Sequence, residues 1–158
     1  MYKNCSFTGH RTIPQAQLEQ IRAAVARQID SAYLCGCRSF FCGGAVGFDT
    51  LAAQEVIKYR NLHADVRLCL LLPCINQDRH WSKEQRSEYS KIISLADSVE
   101  YTSHYYSDEC MKIRNMRLAE CADLVVAYVN RWQSGAAQTV RMAQRMGKDV
   151  VNLCTGAL

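Results

Sequence analysis

No stretch of this 158-residue chain approaches the ~18 uninterrupted apolar residues of a membrane-spanning helix. The first residues, MYKNCSFTGHR, lack the apolar core of a secretory signal, so a cytoplasmic location is expected and no membrane among the partners. Internal repeats and low-complexity tracts are also missing, which excludes solenoids and disordered linkers. There is no GxSxG elbow and no HExxH. The segment GGAVGFDT lacks the Lys-Ser/Thr ending with which a phosphate loop reaches terminal phosphates and magnesium, so kinase and nucleotide triphosphatase chemistry are not expected. GGAVG also departs from the GxGxxG dinucleotide fingerprint and follows the second strand rather than the first, which argues against a nicotinamide dehydrogenase.

Cysteine is plentiful, but its pattern is not that of a metal site. The nine cysteines are odd in number, and the CxC of Cys35 and Cys37 has no CxxC or His-x-His partner, so neither a metal nor a cofactor is expected. Cys5, Cys42, Cys69 and Cys154 fall in apolar runs and read as free buried thiols. With 49% hydrophobic and 22% charged residues, the chain has the balance of an ordinary globular protein and the length of one domain, residues 1–158. Its net charge of +4 is spread along the sequence, which favours the approach of an anion without indicating nucleic acid.

Apolar runs suited to strands alternate with stripes of helical spacing. Cys5 to Thr8, Arg38 to Cys42, Val66 to Leu72, Ser98 to Tyr101, Asp123 to Val129 and Asp149 to Leu153 read as strands. Between them, Leu18, Ile21, Val25, Ile29 and Ala32 form one helical stripe, with Pro14 placed for a first helical turn. A second helix opens near Gly47, a less regular third carries Trp81, Tyr89, Ile92 and Leu95, and a fourth covers Met111 to Cys121. A fifth runs from Gly135 to Met146, with Ser134 as N-cap and Gly147 as C-terminal stop. This alternation predicts the α/β class: a single Rossmann-like three-layer domain with a mostly parallel sheet and helices on both faces.

Ligands of such sheets bind beyond the carboxyl ends of the strands. There the sequence places Thr8, Gly9, His10 and Arg11, then Gly43, Gly44, Ala45, Gly47 and Asp49, then Pro73 to Trp81, then Asn130 to Thr139. Two of these loops contain glycine and run into helix starts, where free N–H groups and the helix dipole favour an anion. Each feature also has a plain structural explanation. Glycines serve tight turns without any ligand, Asp49 can cap a helix, His10 can be a loop residue, and Trp81 and Trp132 can seal a core edge as well as stack on a base.

The ordered set FTGHR at Phe7 to Arg11, GGAVGFDTLAA at Gly43 to Ala53, LPCINQDRHW at Leu72 to Trp81, RNMRLAECAD at Arg114 to Asp123 and SGAAQTVRMA at Ser134 to Ala143 spans almost the whole chain. On these residues the chain resembles the YpsA-like branch of the SLOG superfamily, which joins Smf-type DNA-processing proteins with LOG-type phosphoribohydrolases. The resemblance implies a nucleotide or nucleotide-derived ligand contacted by Gly9 and Arg11, cradled by Gly43, Gly44 and Gly47, and lined by Gly135 and Thr139. The resemblance further implies that Asp49 shapes or contacts that pocket and that the Arg114-Asn115 pair begins a helix near it. LOG-type hydrolases carry a PGGxGTxxE loop with a participating glutamate. Here the stretch is QSGAAQTVRMA, with no proline, an incomplete glycine set and no Glu after Thr139. A carboxylate is what stabilises an oxocarbenium-like state or activates water, so its absence argues against N-glycosidic hydrolysis.

The leading expectation is thus binding or sensing of a nucleotide-derived small molecule. An enzyme acting on a nucleotide or ribosyl phosphate, with Asp49, Glu55 or Glu120 as its carboxylate, is the alternative. DNA binding is the weakest of the three, and a homo-oligomer is compatible with the sequence.

Overall fold

The computed structural model describes residues 1–154; the last four positions of the expected domain lie outside the described residues. Its core is one six-stranded sheet. The strands are β1 (Asn4–Gly9), β2 (Ser39–Cys42), β3 (Arg67–Leu72), β4 (Ser98–Tyr101), β5 (Leu124–Tyr128) and β6 (Asp149–Asn152). They lie in the order β4-β3-β2-β1-β5-β6, and every pair is parallel. The helices are α1 (Leu18–Leu34), α2 (Phe48–Arg60), α3 (Lys83–Leu95), α4 (Cys110–Cys121) and α5 (Gly135–Arg145).

Alternation within β1 divides the two faces. Cys5 and Phe7 enter the larger core with Ile21, Val25 and Ile29 of α1, Leu51 and Val56 of α2, and Tyr89 and Ile92 of α3. Ser6 points the other way, where its hydroxyl donates to the Leu118 carbonyl of α4 at 2.7 Å. On that second face Ala119 and Ala122 meet Val125, Met142 and Ala143, while Ala127 packs with Ala136, Ala137 and Val140 of α5. The sheet is therefore a layer between α1–α3 and α4–α5, the three-layer α/β arrangement that the sequence predicts.

Three local expectations need correction. Pro14 caps a separate 3-10 turn, Gln15–Gln17, rather than entering α1, its ψ of 132° being extended rather than helical. Trp81 lies before α3, which begins only after Ser82; that serine and Gln85 form a reciprocal capping box. All nine cysteines are free, although Cys154 is only half-buried. Burial raises the Cys5 and Cys42 thiols well above their ordinary range, so they stay protonated packing groups. No described helix is long and apolar enough to cross a membrane.

The chain steps outward from β1 through β4, then returns past β1 to β5 and β6. Strand order reverses between β1 and β5, so the loops leaving those neighbours diverge and open a crevice at their carboxyl ends.

Candidate functional site

A cleft of about 270 Å³ occupies that crevice. The loop after β1 contributes Thr8, Gly9, His10 and Arg11, with Thr12 beyond them; the loop before α2 and its first turn contribute Ala45 and Asp49. Met111, Arg114, Asn115 and Leu118 come from α4, and Arg131, Ser134, Gly135 and Ala136 from the loop after β5 and the start of α5.

The floor is a polar chain joining both glycine loops. Arg114 is 5% exposed, and its Nη1 donates to the Gly43 carbonyl. Its Nε donates to Asn115 Oδ1 at 2.9 Å, and Asn115 Nδ2 donates to the Gly135 carbonyl at 3.4 Å. The third nitrogen meets Met111 Sδ at 3.7 Å. These acceptors are all neutral, and no carboxylate of the described residues forms an ion pair with Arg114. Asp49, also 5% exposed, accepts the Ala45 N–H at 3.2 Å. Burial pushes its carboxyl up to about 6, against the opposing pull of Arg114, that N–H and Arg11.

The rim carries more positive character. Arg11 and Arg131 are exposed, and α5 aims its N-terminus at the space between them. Ser134 caps that helix by accepting the Ala137 N–H at 3.1 Å, while the N–H groups of Gly135 and Ala136 have no partner within the helix. His10 is held between the loops: its backbone N–H donates to the Tyr128 carbonyl at 3.2 Å, its carbonyl accepts the Phe48 N–H at 3.1 Å, and its Nε2 accepts the Asn130 N–H at 2.9 Å.

At several glycines expected to approach a ligand, the missing Cβ makes room for protein groups. A Cβ on Gly9 would lie 2.5 Å from the Phe48 ring, and one on Gly43 would lie 2.7 Å from Arg114 Nη1. Gly44 and Gly47 have φ of +73° and +80°, and their missing Cβ atoms leave room for Leu72 and for the Arg11 backbone. Gly9 still borders the cleft, but Gly43, Gly44 and Gly47 are not among its lining residues. Pro73 is buried at the end of β3. Trp81 packs edge-on against Tyr89 with ring centroids 5.0 Å apart, and Thr139 turns its hydroxyl back to the Gly135 carbonyl at 3.0 Å. These three also lie off the cleft lining.

Two of the candidate carboxylates are elsewhere. Glu55 pairs with Arg22 at 3.0 Å between α1 and α2, and Glu120 is exposed on α4. Met111 and Leu118 were not anticipated as lining residues, although the spacing 111, 114, 115, 118 is the i, i+3, i+4, i+7 face of one helix.

The sequence pattern of the YspA SLOG family, YpsA, matches residues 3–149. A UPF0398 protein of Bacillus thuringiensis (strain Al Hakam) is 24% identical over 137 residues, covering 85% of this chain and 74% of the relative. Among solved structures, DNA processing protein A of Helicobacter pylori, which binds single-stranded DNA, superposes with a TM-score of 0.67 at 18% identity, over 95% of this chain and 64% of that one. The Streptococcus pneumoniae protein of the same name gives 0.69 at 16% identity, over 99% and 53%. This chain thus spans between half and two thirds of those DNA processing proteins, and at these identities the likeness concerns the fold.

Proposed function

The chain belongs to the YspA SLOG family, and from that premise we propose that it binds an anionic, nucleotide-derived small molecule in the cleft between β1 and β5. One observation carries the reading. Arg114 is a buried cation on the cleft floor whose hydrogen bonds all go to neutral acceptors, and a buried charge is costly without a counter-charge. Asp49 acts on Arg114 through its charge but forms no ion pair with it, so the guanidinium has no carboxylate in contact. An anion in the cleft supplies the missing charge and also meets the α5 N-terminus, Arg11 and Arg131. Titration calorimetry with AMP, ADP and ADP-ribose tests the proposal. Binding in the micromolar range that Arg114→Met weakens at least about tenfold supports it, since hydrogen bonds to charged groups contribute ~1.5–3 kcal/mol; absence of binding at millimolar ligand refutes it.

A catalytic reading rests on Asp49 alone, a cleft carboxyl whose raised pKa of about 6 suits proton transfer near neutrality. The first turn of α5 holds no acidic residue to take the part of the LOG-type glutamate. Release of free base from nucleoside monophosphates, lost in Asp49→Asn, would establish this activity. Single-stranded DNA binding is suggested only by the fold shared with the Helicobacter pylori protein. It requires an affinity for oligonucleotides that falls steeply with salt; oligonucleotides that compete no better than AMP exclude it.

A further inference from the structure

His10 lines the cleft, and the backbone decides which of its ring nitrogens can carry a proton. Nε2 accepts the Asn130 N–H at 2.9 Å, so a proton cannot occupy Nε2 while that bond exists. The neutral ring must then carry its proton on Nδ1, the nitrogen that makes no bond to the described residues. The ring is fixed in this pose by its own backbone bonds to Tyr128 and Phe48 and by an edge contact with the Tyr128 ring, centroids 5.9 Å apart. Its charged neighbours act in the same sense: burial and the positive charge of Arg131 both disfavour imidazolium, against the opposing effect of the Asn130 bond.

We propose that His10 is a specificity residue of this cleft, presenting a tautomer-locked, uncharged Nδ1–H donor to a phosphoryl oxygen of the ligand held at the α5 N-terminus. The phosphoryl assignment rests on the anionic-ligand reading above and on the shared cleft that His10 lines together with Arg131 and the start of α5. A locked donor of this kind is a poor general base, because the nitrogen left without a protein partner already bears hydrogen.

The test uses the full chain with 15N-labelled histidine rings and AMP as probe. Spectra of the free protein should show protonated Nδ1 and unprotonated Nε2 on His10 from about pH 7 to about pH 8, with the Nδ1 signal moving when AMP is added. Two variants separate ligand contact from architecture. His10→Gln places an amide oxygen where Nε2 accepts, so it keeps the Asn130 bond while losing the cleft donor; AMP affinity should fall about tenfold with little change in melting temperature. His10→Asn keeps a donor near the Nδ1 position and frees the Asn130 N–H; melting temperature should fall while most affinity remains. An Nε2–H tautomer, an imidazolium at neutral pH, or undiminished AMP binding by His10→Gln overturns the proposal. Failure of the unmodified chain to bind AMP, ADP or ADP-ribose overturns the reading of the cleft itself, and the free-protein spectrum still decides the tautomer.

Discussion

Asp49 shows how one carboxyl links folding and binding. Its pKa rises from 3.8 to about 6 on folding, chiefly through burial. The folded state therefore holds the proton more tightly than the unfolded chain, so the group favours folding below about pH 4 and this contribution is lost as pH rises through about 6. A shift of about two units corresponds to ~3 kcal/mol. Asp49→Asn is expected to raise the urea midpoint near pH 7.5 by the equivalent of ~1–3 kcal/mol, with little change at pH 4. The same protonation removes a negative charge from the cleft, so the affinity for ADP-ribose, whose diphosphate unlike the AMP monoester does not titrate in this range, should increase between pH 7.5 and pH 5.5, and Asp49→Asn should flatten that dependence, whereas a parallel pH profile in the variant would assign it to another group. Arg114 completes the account at this scale: Arg114→Lys keeps the charge but cannot span Gly43 and Asn115 together, so it should recover only part of the affinity lost in Arg114→Met.

At the scale of elements, helices and strands were largely legible because burial imposes its periods on the sequence. β3 reads as an apolar run since it is covered on both faces, and α1 shows a clean stripe since only one side meets the sheet. The glycine loops were legible as turns, and Gly9, Ala45 and Gly135 border the cleft as their positions after the strands suggest, whereas Gly43, Gly44 and Gly47 lie off its lining. A missing Cβ signals close approach without saying whether protein or ligand approaches, and at Gly9, Gly43, Gly44 and Gly47 it is protein. The role of Arg114 was also out of reach, because its partners Gly43 and Gly135 come from loops remote in sequence. The two kinds of glycine separate by substitution. Gly47→Ala meets the Arg11 backbone at 2.2 Å in a positive-φ position, and Gly9→Ala meets Phe48 at 2.5 Å. Both should lower the melting temperature markedly, the overpacking alone costing ~1–3 kcal/mol. Gly135→Ala meets only Asn115 Nδ2 at 3.4 Å and sits at the start of α5, so stability should hold while AMP binding weakens. Equal destabilisation of all three by thermal melts would contradict this division.

For the whole molecule, the strand reversal between β1 and β5 creates the cleft, and the polar chain from Gly43 through Arg114 and Asn115 to Gly135 joins its walls. An anion bound there touches the loops after β1 and β5 together with α4, elements from both faces of the sheet, and should protect their amides from hydrogen exchange as one unit. The central claim is that the molecule holds a negative ligand against a buried arginine. Calorimetric titration with AMP and adenosine, side by side on the unmodified chain and Arg114→Met, tests it most directly. The expected result is AMP binding at least about tenfold tighter than adenosine, with that preference lost in the variant. Equal binding of AMP and adenosine, or a preference for AMP that survives removal of Arg114, would contradict it.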